Sequence, residues 1–384
     1  MTWRTVPLGE IARVDARTIK PDELETEDVY VGLEHIRRDG SVDLTTAAAD
    51  AGLRSAKNRF DARHILYGKL RPNLGKVACP GTKGVCSTDI YPLLPTEHAD
   101  RNFLAHYLLT PDVVRFTSAR TTGVNLPRIS WSSLGKLPVP LPPLSEQRRI
   151  ASILDEAGEV RAVQQRIIAS LDELAAAAFR DLESTLRGPH IPLGDIAEVS
   201  SGITKGRKAP AGDLVPVDYM TVANVQEKRL DLSVVRQLNV SRREIERYRL
   251  RAGDLLLTEG GDPDKLGRGV VWGDELPLSI HQNHVFRVRL RDDRLSPIWL
   301  NWEMGSAYGK RYFLRAAKQT TGIATINSTQ LRAFPVRIAA SEHTRDFLAK
   351  LDAIRSVRAG AVAESAAFDA LFASLQHRAF RAEL

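Results

Sequence analysis

Pro7-Leu8-Gly9-Glu10-Ile11-Ala12-Arg13-Val14 returns 185 residues later as Pro192-Leu193-Gly194-Asp195-Ile196-Ala197-Glu198-Val199. In a chain of 384 residues that offset is close to half the length. Further anchors follow in the same order. Tyr30-Val31-Gly32-Leu33-Glu34-His35-Ile36 pairs with Tyr219-Met220-Thr221-Val222-Ala223-Asn224-Val225. Thr121-Thr122-Gly123-Val124 pairs with Thr320-Thr321-Gly322-Ile323, and Leu137-Pro138-Val139 with Phe334-Pro335-Val336. The offset moves to 199 and then 197, so insertions separate the anchors. A period of about 190 is far too long for a solenoid and indicates two duplicated domains.

Each half closes on a long helical pattern. In residues 143–186 the apolar positions Ile150, Ile153, Ala157, Val160, Ile167, Leu171, Leu174 and Ala178 form a heptad seam with Gln164 as a polar member. Pro142 and Pro143 stop the preceding strand, Ser145 is placed to cap the first turn, and Arg187-Gly188-Pro189 ends the helix. At 1.5 Å per residue such a helix spans about 60 Å. The second seam, in residues 340–384, is Leu351, Ile354, Ala361, Phe368, Phe372, Leu375 and Ala379, with Arg358 and Ser365 as polar members. Ile150, Ile153 and Leu171 recur 201 residues later as Leu351, Ile354 and Phe372. A stripe this long needs a partner, so the two helices are expected to pair as an antiparallel coiled coil. Antiparallel pairing follows if the two similar globules are related by a pseudo-two-fold axis.

Residues 1–142 and 187–339 read as mixed α/β (α+β) globules. Short β-rich runs such as Val29-Tyr30-Val31, Leu255-Leu256-Leu257 and Val285-Phe286-Arg287-Val288 lie between Gly, Pro and Asp turns. Leu104 to Val113 and Ile298 to Arg311 read as short helices. The expected order is therefore globule 1–142, helix 143–186, globule 187–339, helix 340–384.

The net charge of +7 and pI near 9.4 favour an acidic partner, most often nucleic acid. The two cysteines, Cys79 and Cys86, are too few for a disulfide framework and lack partners for a zinc site. No apolar run suggests a signal peptide or membrane span, so a soluble, cytoplasmic protein is expected.

Each globule carries a basic, glycine-rich loop: Gly68-Lys69-Leu70-Arg71-Pro72-Asn73-Leu74-Gly75-Lys76, and Glu259-Gly260-Gly261-Asp262-Pro263-Asp264-Lys265-Leu266-Gly267-Arg268-Gly269. Glycine allows close backbone approach to a phosphate, and Lys or Arg supplies charge. Neither loop has the Gly-Lys-Ser/Thr of a nucleotide-binding loop. The Thr-Thr-Gly anchors also sit among cations. The candidate nucleic-acid contacts are thus Lys69, Arg71, Asn73, Lys76, Arg120, Thr121, Thr122 and Arg128 in the first half. In the second half they are Lys205, Arg207, Lys208, Lys265, Arg268, Gln282, Lys318, Thr320 and Thr321. Gln282, with Asn283 and His281, has groups that read base edges, although a buried structural role suits any one of them better. No catalytic constellation emerges. The histidines are scattered, there is no Gly-x-Ser-x-Gly elbow, and Asp262-Pro263-Asp264-Lys265 lacks an upstream carboxylate and a first-half equivalent.

Leu141-Pro142-Pro143-Leu144-Ser145-Glu146-Gln147-Arg148-Arg149-Ile150, followed by a long helix, resembles the central segment of specificity subunits of type I restriction–modification systems. The Glu259–Gly269 run is similar to a stretch of their target-recognition domains, and the globule–helix–globule–helix plan extends the resemblance to the whole chain. The resemblance implies a non-catalytic subunit with two target-recognition domains, each reading half of a bipartite, asymmetric site in double-stranded DNA. It implies a helical spacer on which two methyltransferase subunits dock through Pro142, Pro143, Glu146, Gln147, Arg148 and Arg149, joined by restriction–translocase subunits. It places S-adenosylmethionine, ATP and Mg on those partners, with no metal or cofactor in this chain. Ile338-Ala339-Ala340-Ser341-Glu342-His343-Thr344-Arg345, which opens the second helix, keeps Ser-Glu but not the prolines or the glutamine, and so sets the second docking surface apart. The rival reading is a protein-interaction scaffold displaying two adaptor domains on a coiled coil.

Overall fold

The computed structural model describes residues 3–25, 27–186, 190–207, 212–292, 295–320, 322–338 and 340–384, the side chains of Asp264, Gln319 and Thr320 excepted. It divides into two compact units, residues 1–168 with 359–384, and residues 169–358.

In the first unit, β1 (Ala12–Val14), β2 (Ile65–Gly68), β3 (Val77–Ala78) and β4 (Ile90–Pro95) form an antiparallel sheet in the order β1-β4-β2-β3. In the second, β5 (Ala197–Ser201), β6 (Leu255–Thr258), β7 (Gly269–Val271) and β8 (Val285–Leu290) take the same order, β5-β8-β6-β7. Every residue of the central strands β2 and β6 is buried. Both faces of each sheet are covered, which is why these strands read as continuous apolar runs rather than alternating ones.

The repeated anchors have structural reasons. Thr5–Pro7 pairs antiparallel with Pro138–Pro140, and His190–Pro192 with Pro335–Arg337. The amides of Leu8 and Leu193, both fully buried, donate to the carbonyls of Leu137 (2.8 Å) and Phe334 (2.9 Å). The first and last anchors of each half therefore close its globule by meeting each other. The tyrosine anchors sit on strands that pair parallel, Tyr30 opposite Val85 and Tyr219 opposite Ile280.

Two expected helices are each split. Arg101–Leu108 is followed by Pro111–Ser118, and Pro297–Gly305 by Ala307–Ala316. Thr110 and Ser306 cap the second helix of each pair, and Pro111 has no amide to continue the first.

The long helices are α1 (Leu144–Thr185) and α2 (Ser341–Ala379). Within each unit their segments run antiparallel. Arg161 pairs with Asp369 (2.6 Å) and Gln164 bonds Glu364 (3.4 Å) in the first; Arg358 pairs with Asp172 (2.6 Å) in the second. On α2, Leu351, Ala361 and Ala379 are buried, and Ile354, Arg358, Ser365, Phe368, Phe372 and Leu375 are half-buried. On α1 the expected seam is corrected. Val160, Ile167 and Leu174 are exposed (41, 41 and 53%) and Ile153 is only half-buried. The covered stripe is instead Ile150, Leu154, Arg161, Gln164, Ile168, Leu171, Ala175, Ala178 and Leu182. Adjacent apolar pairs, such as Ile153 and Leu154 or Ile167 and Ile168, leave a heptad face undetermined by one residue, about 100° of rotation.

Ser145 does not cap α1. The helix already begins at Leu144, and the carbonyl of Pro143 accepts from the amides of Glu146 (2.9 Å) and Gln147 (3.0 Å). The expected terminator, Arg187-Gly188-Pro189, lies outside the described residues.

Each unit fastens its helix segments to its globule with polar clasps at an apolar seam. In the first, Asp155 of α1 accepts from Asn102 (2.9 Å) and bonds His106 (2.7 Å), and the His106 bond leads in holding its carboxyl below the usual range. Around this lie Phe103, Ile150, Leu154, Ala379 and Phe380. In the second, Arg337 donates twice to the fully buried Glu303 (2.7 and 2.8 Å) and once to Glu183 of α1 (2.8 Å). Phe179, Trp302 and Phe347 pack ring on ring beside it, with centroids 5.4–5.8 Å apart.

Candidate nucleic-acid interface

The glycine-rich loops and the Thr-Thr-Gly anchors, far apart in sequence, are joined by backbone hydrogen bonds in both units. In the first, the Arg71 amide donates to Pro127 (2.7 Å) and the Ile129 amide to Lys69 (3.0 Å). Thr122 and Arg128 exchange both backbone bonds at 2.9 Å, closing a narrow hairpin. The Lys69 amide donates to the Asp89 carbonyl (2.9 Å). Arg71 takes a left-handed conformation (φ 51°) that turns the chain into the short helix Pro72–Leu74, leaving Asn73 exposed.

In the second, Gly260–Gly261 pairs antiparallel with Ile323–Thr325, which pairs in turn with Lys318–Thr320. The Glu259 amide donates to His284 (2.9 Å), the counterpart of the Lys69–Asp89 bond, and the Asn283 amide donates to Ile203 (3.0 Å). Lys205 and Gln282 therefore join the same patch. Gly260 is required: a Cβ there would meet the Ala324 carbonyl at 2.7 Å and Thr325 Cγ2 at 2.6 Å.

The side chains divide into outward and inward groups. Arg71, Arg120, Lys205, Lys265 and Lys318 are exposed, and Lys69 lies 5.0 Å over the Tyr91 ring. Arg120 stacks on Phe116 at 3.7 Å. Thr121 is half-buried and Thr122 exposed, and the Thr121 hydroxyl bonds the Ser118 carbonyl (3.1 Å). Lys265 bonds Asp262, the lysine being the leading reason that carboxyl lies below the usual range.

Several expected contacts are corrected to structural roles. Lys76 donates its ammonium to the Leu33 carbonyl (2.5 Å). Arg128 forms a two-pronged bond to Asp89 (2.8 and 3.2 Å). Arg207 is held by Glu244 at 2.6 Å, and that bond, with help from Ser241, pulls the carboxyl down to about 2. Arg268 is half-buried and reaches Gln226 (3.3 Å) and the Val222 carbonyl (3.5 Å). Asp89 and Glu244, distant in sequence, neutralise Arg128 and Arg207, whereas Lys76 and Arg268 are turned inward onto uncharged oxygens. Gln282 is half-buried, while His281 is fully buried, donates to the Val285 carbonyl (2.7 Å) and is driven down to about 4 by burial. It is therefore neutral and unavailable to a ligand. Lys208 and Thr321 lie outside the described residues, as does the Thr320 side chain. Sequence reasoning missed Asp89 and His284, and gave Glu259 no role beyond opening its loop. Glu259 and His284 pair at 2.5 Å across the second patch, and nothing local marks His284.

The motif at the start of α1 also divides. Gln147 is fully buried: its carbonyl accepts the Asp100 amide (2.7 Å) and its amide donates to His98 (3.0 Å) and Pro142 (2.8 Å). Pro142 is buried as well. Neither is available for docking, because both fasten the helix to its globule. Pro143, Arg148 and Arg149 are exposed, and Glu146 pairs with Arg149 through two bonds of 2.8 Å.

Among the described residues there is no cluster able to hold a metal ion, and no helix long and apolar enough to cross a membrane. Burial pushes the thiols of Cys79 and Cys86 up to about 11 and 12, which leaves them protonated at neutral pH.

In comparison with known proteins, residues 1–173 match the family described as "Type I restriction modification DNA specificity domain". The EcoDI specificity subunit of Escherichia coli is 28% identical over 187 residues, 46% of this chain and 41% of the relative. The StySPI specificity subunit of Salmonella potsdam is 23% identical over 258 residues, 62% of this chain and 55% of the relative. The chain spans about half the length of these curated relatives. Two solved structures share the fold over essentially the whole chain, each with a TM-score of 0.56. One is a chain from work on complex assembly in a type I R-M system (18% identity, 100% of this chain and 98% of that one). The other is the restriction–modification S subunit of M. genitalium (13% identity, 99% and 96%). Residues 1–173 are thus similar to a type I restriction–modification DNA specificity domain, and the fold of the chain is shared with the S subunit of one such system.

Proposed function

We propose that the chain is the sequence-reading subunit of a type I restriction–modification complex. Each unit reads one half of a bipartite, asymmetric site in double-stranded DNA, and catalysis belongs to other subunits. One observation carries this reading. In both units, a glycine-rich loop and a Thr-Thr-Gly hairpin are hydrogen-bonded into one surface fringed by Lys and Arg. The two surfaces share a backbone plan but not side chains: Arg71, Asn73 and Arg120 in one, Lys205, Gln282 and Lys318 in the other. Phosphate contacts position a protein without reading sequence, and base-edge contacts specify it, so unlike side chains on a shared frame suit unlike half-sites.

The exposed start of α1, with Pro143, Arg148 and the Glu146–Arg149 pair, is the proposed docking surface for methyltransferase subunits, with restriction–translocase subunits completing the complex. Mapping methylated adenines genome-wide with the gene present and deleted tests the proposal. One bipartite motif that loses methylation on deletion is expected; an unchanged methylation pattern overturns it.

The helices are also proposed to space the half-sites. Because α1 and α2 pair antiparallel, a seven-residue insertion after Gln164 of α1 needs a matching one before Ser365 of α2. Together they lengthen the rod by about 10 Å, or about three base pairs. The methylated motif is expected to keep both half-sites and gain about that spacing. An unchanged spacer would sink the ruler role alone.

A further inference from the structure

The tip of the first hairpin exposes carbon where a loop ordinarily places polar groups. Val124 is 98% exposed, and Leu126 beside it is 48% exposed. A single exposed apolar residue needs no explanation, but this one has three distinguishing circumstances. First, the hairpin is held in place. Thr122 and Arg128 exchange backbone bonds, Arg71 ties it to the glycine-rich loop, and Gly123 (φ +94°) makes a turn so tight that a Cβ would meet the Leu126 carbonyl at 3.1 Å. Secondly, the exposed cations Arg71 and Arg120 flank its base. Thirdly, the same place after the glycine of the second hairpin holds another β-branched apolar residue, Ile323, which is 52% exposed and follows Gly322 at φ +82°.

Resting on the recognition reading above, we infer that the Gly123–Pro127 tip enters the major groove of DNA and that Val124 lies against the 5-methyl group of a thymine in the half-site read by the first unit. A two-stranded ribbon fits the major groove, about 12 Å wide, and not the minor groove, about 6 Å. The thymine methyl is the apolar feature displayed there. Flanking guanidiniums on the phosphates would hold the tip in register. A stiff, β-branched side chain on a pinned turn loses little rotamer freedom on contact.

The test uses the full chain, purified with the subunits that co-express with it, and duplexes carrying the mapped site. Each thymine is replaced singly by uracil, which removes only the methyl group. Wild type is expected to bind about fourfold more weakly at one uracil position, the worth of one buried methyl. Val124→Ser is expected to bind the thymine and uracil duplexes equally, and Val124→Ile to keep the preference. Because the side chain is exposed, the melting temperature of both variants should match wild type. The proposal is overturned if no thymine in the half-site responds, or if Val124→Ser discriminates as wild type does. Failure of wild type to bind the mapped site at all would instead remove the recognition reading on which the proposal rests.

Discussion

Raising the salt from 50 to 200 mM is expected to weaken binding of the full chain to its duplex site by about five-hundredfold. Lys69, Arg71, Arg120, Lys205 and Lys318 remain on the exposed or half-exposed side of the two patches. If each displaces one condensed counterion, the slope of log affinity against log salt is about −4.5. Arg128, Arg207 and Lys265 are excluded because carboxylates already pair them, and Lys76 because its ammonium is turned to the Leu33 carbonyl. Replacing Arg71 or Arg120 by Gln should reduce the slope by about one each, whereas Arg207→Gln should act through stability instead. Isothermal titrations at four salt concentrations measure this. A flat dependence would favour the rival scaffold reading, in which the coiled coil displays two adaptor domains to a protein partner.

Arg337→Ala is expected to destabilise the second unit by about 3–5 kcal/mol, the usual result of leaving a buried charge unpaired. The Glu303 carboxylate is fully buried and receives two bonds from the Arg337 guanidinium; Glu183, one-fifth exposed, receives the third. Burial pushes the Glu303 carboxyl up, and Arg337 opposes the push. In the variant burial and the Glu183 charge remain, opposed only by the backbone bond from residue 337, so the folded-state pKa rises further above the unfolded one. A carboxyl whose pKa is raised by folding favours the folded state when protonated. The deficit should therefore be largest at pH 8 and shrink toward pH 5. Urea unfolding at the two pH values measures it. A small loss, equal at both, would mean that water reaches Glu303. Changing both residues together, Arg337→Met with Glu303→Leu, should restore much of the stability, since apolar replacement of a buried ion pair is often neutral or better.

Much of the architecture is carried by local pattern. The doubled Pro-Leu-Gly anchor marks the two globules because each copy must meet its own Leu/Phe-Pro-Val partner to close a domain. The seam of α2 is readable because Leu351, Ile354, Phe368 and Leu375 have no equally apolar neighbour; only Phe372, beside Leu371, has one. The α1 seam is not readable to that accuracy. Ile153 adjoins Leu154 and Ile167 adjoins Ile168, and only the antiparallel partner decides which of each pair is covered.

Residue types and spacing determined by themselves that this protein is duplicated, basic, built of two globules and two long amphipathic helices, and without an evident catalytic constellation. Tertiary structure alone decided which polar groups face out. Gln147 and Arg128 look like ligand-binding residues in one dimension, yet Asp100 and Asp89, 47 and 39 positions away, draw them inward. It also decided that each glycine-rich loop and its Thr-Thr-Gly hairpin form one surface. The reason is common to both: hydrophobic periodicity is a local property that a chain displays along its length, whereas the pairing of a buried or charged group is settled by whichever distant segment folding brings within hydrogen-bond reach.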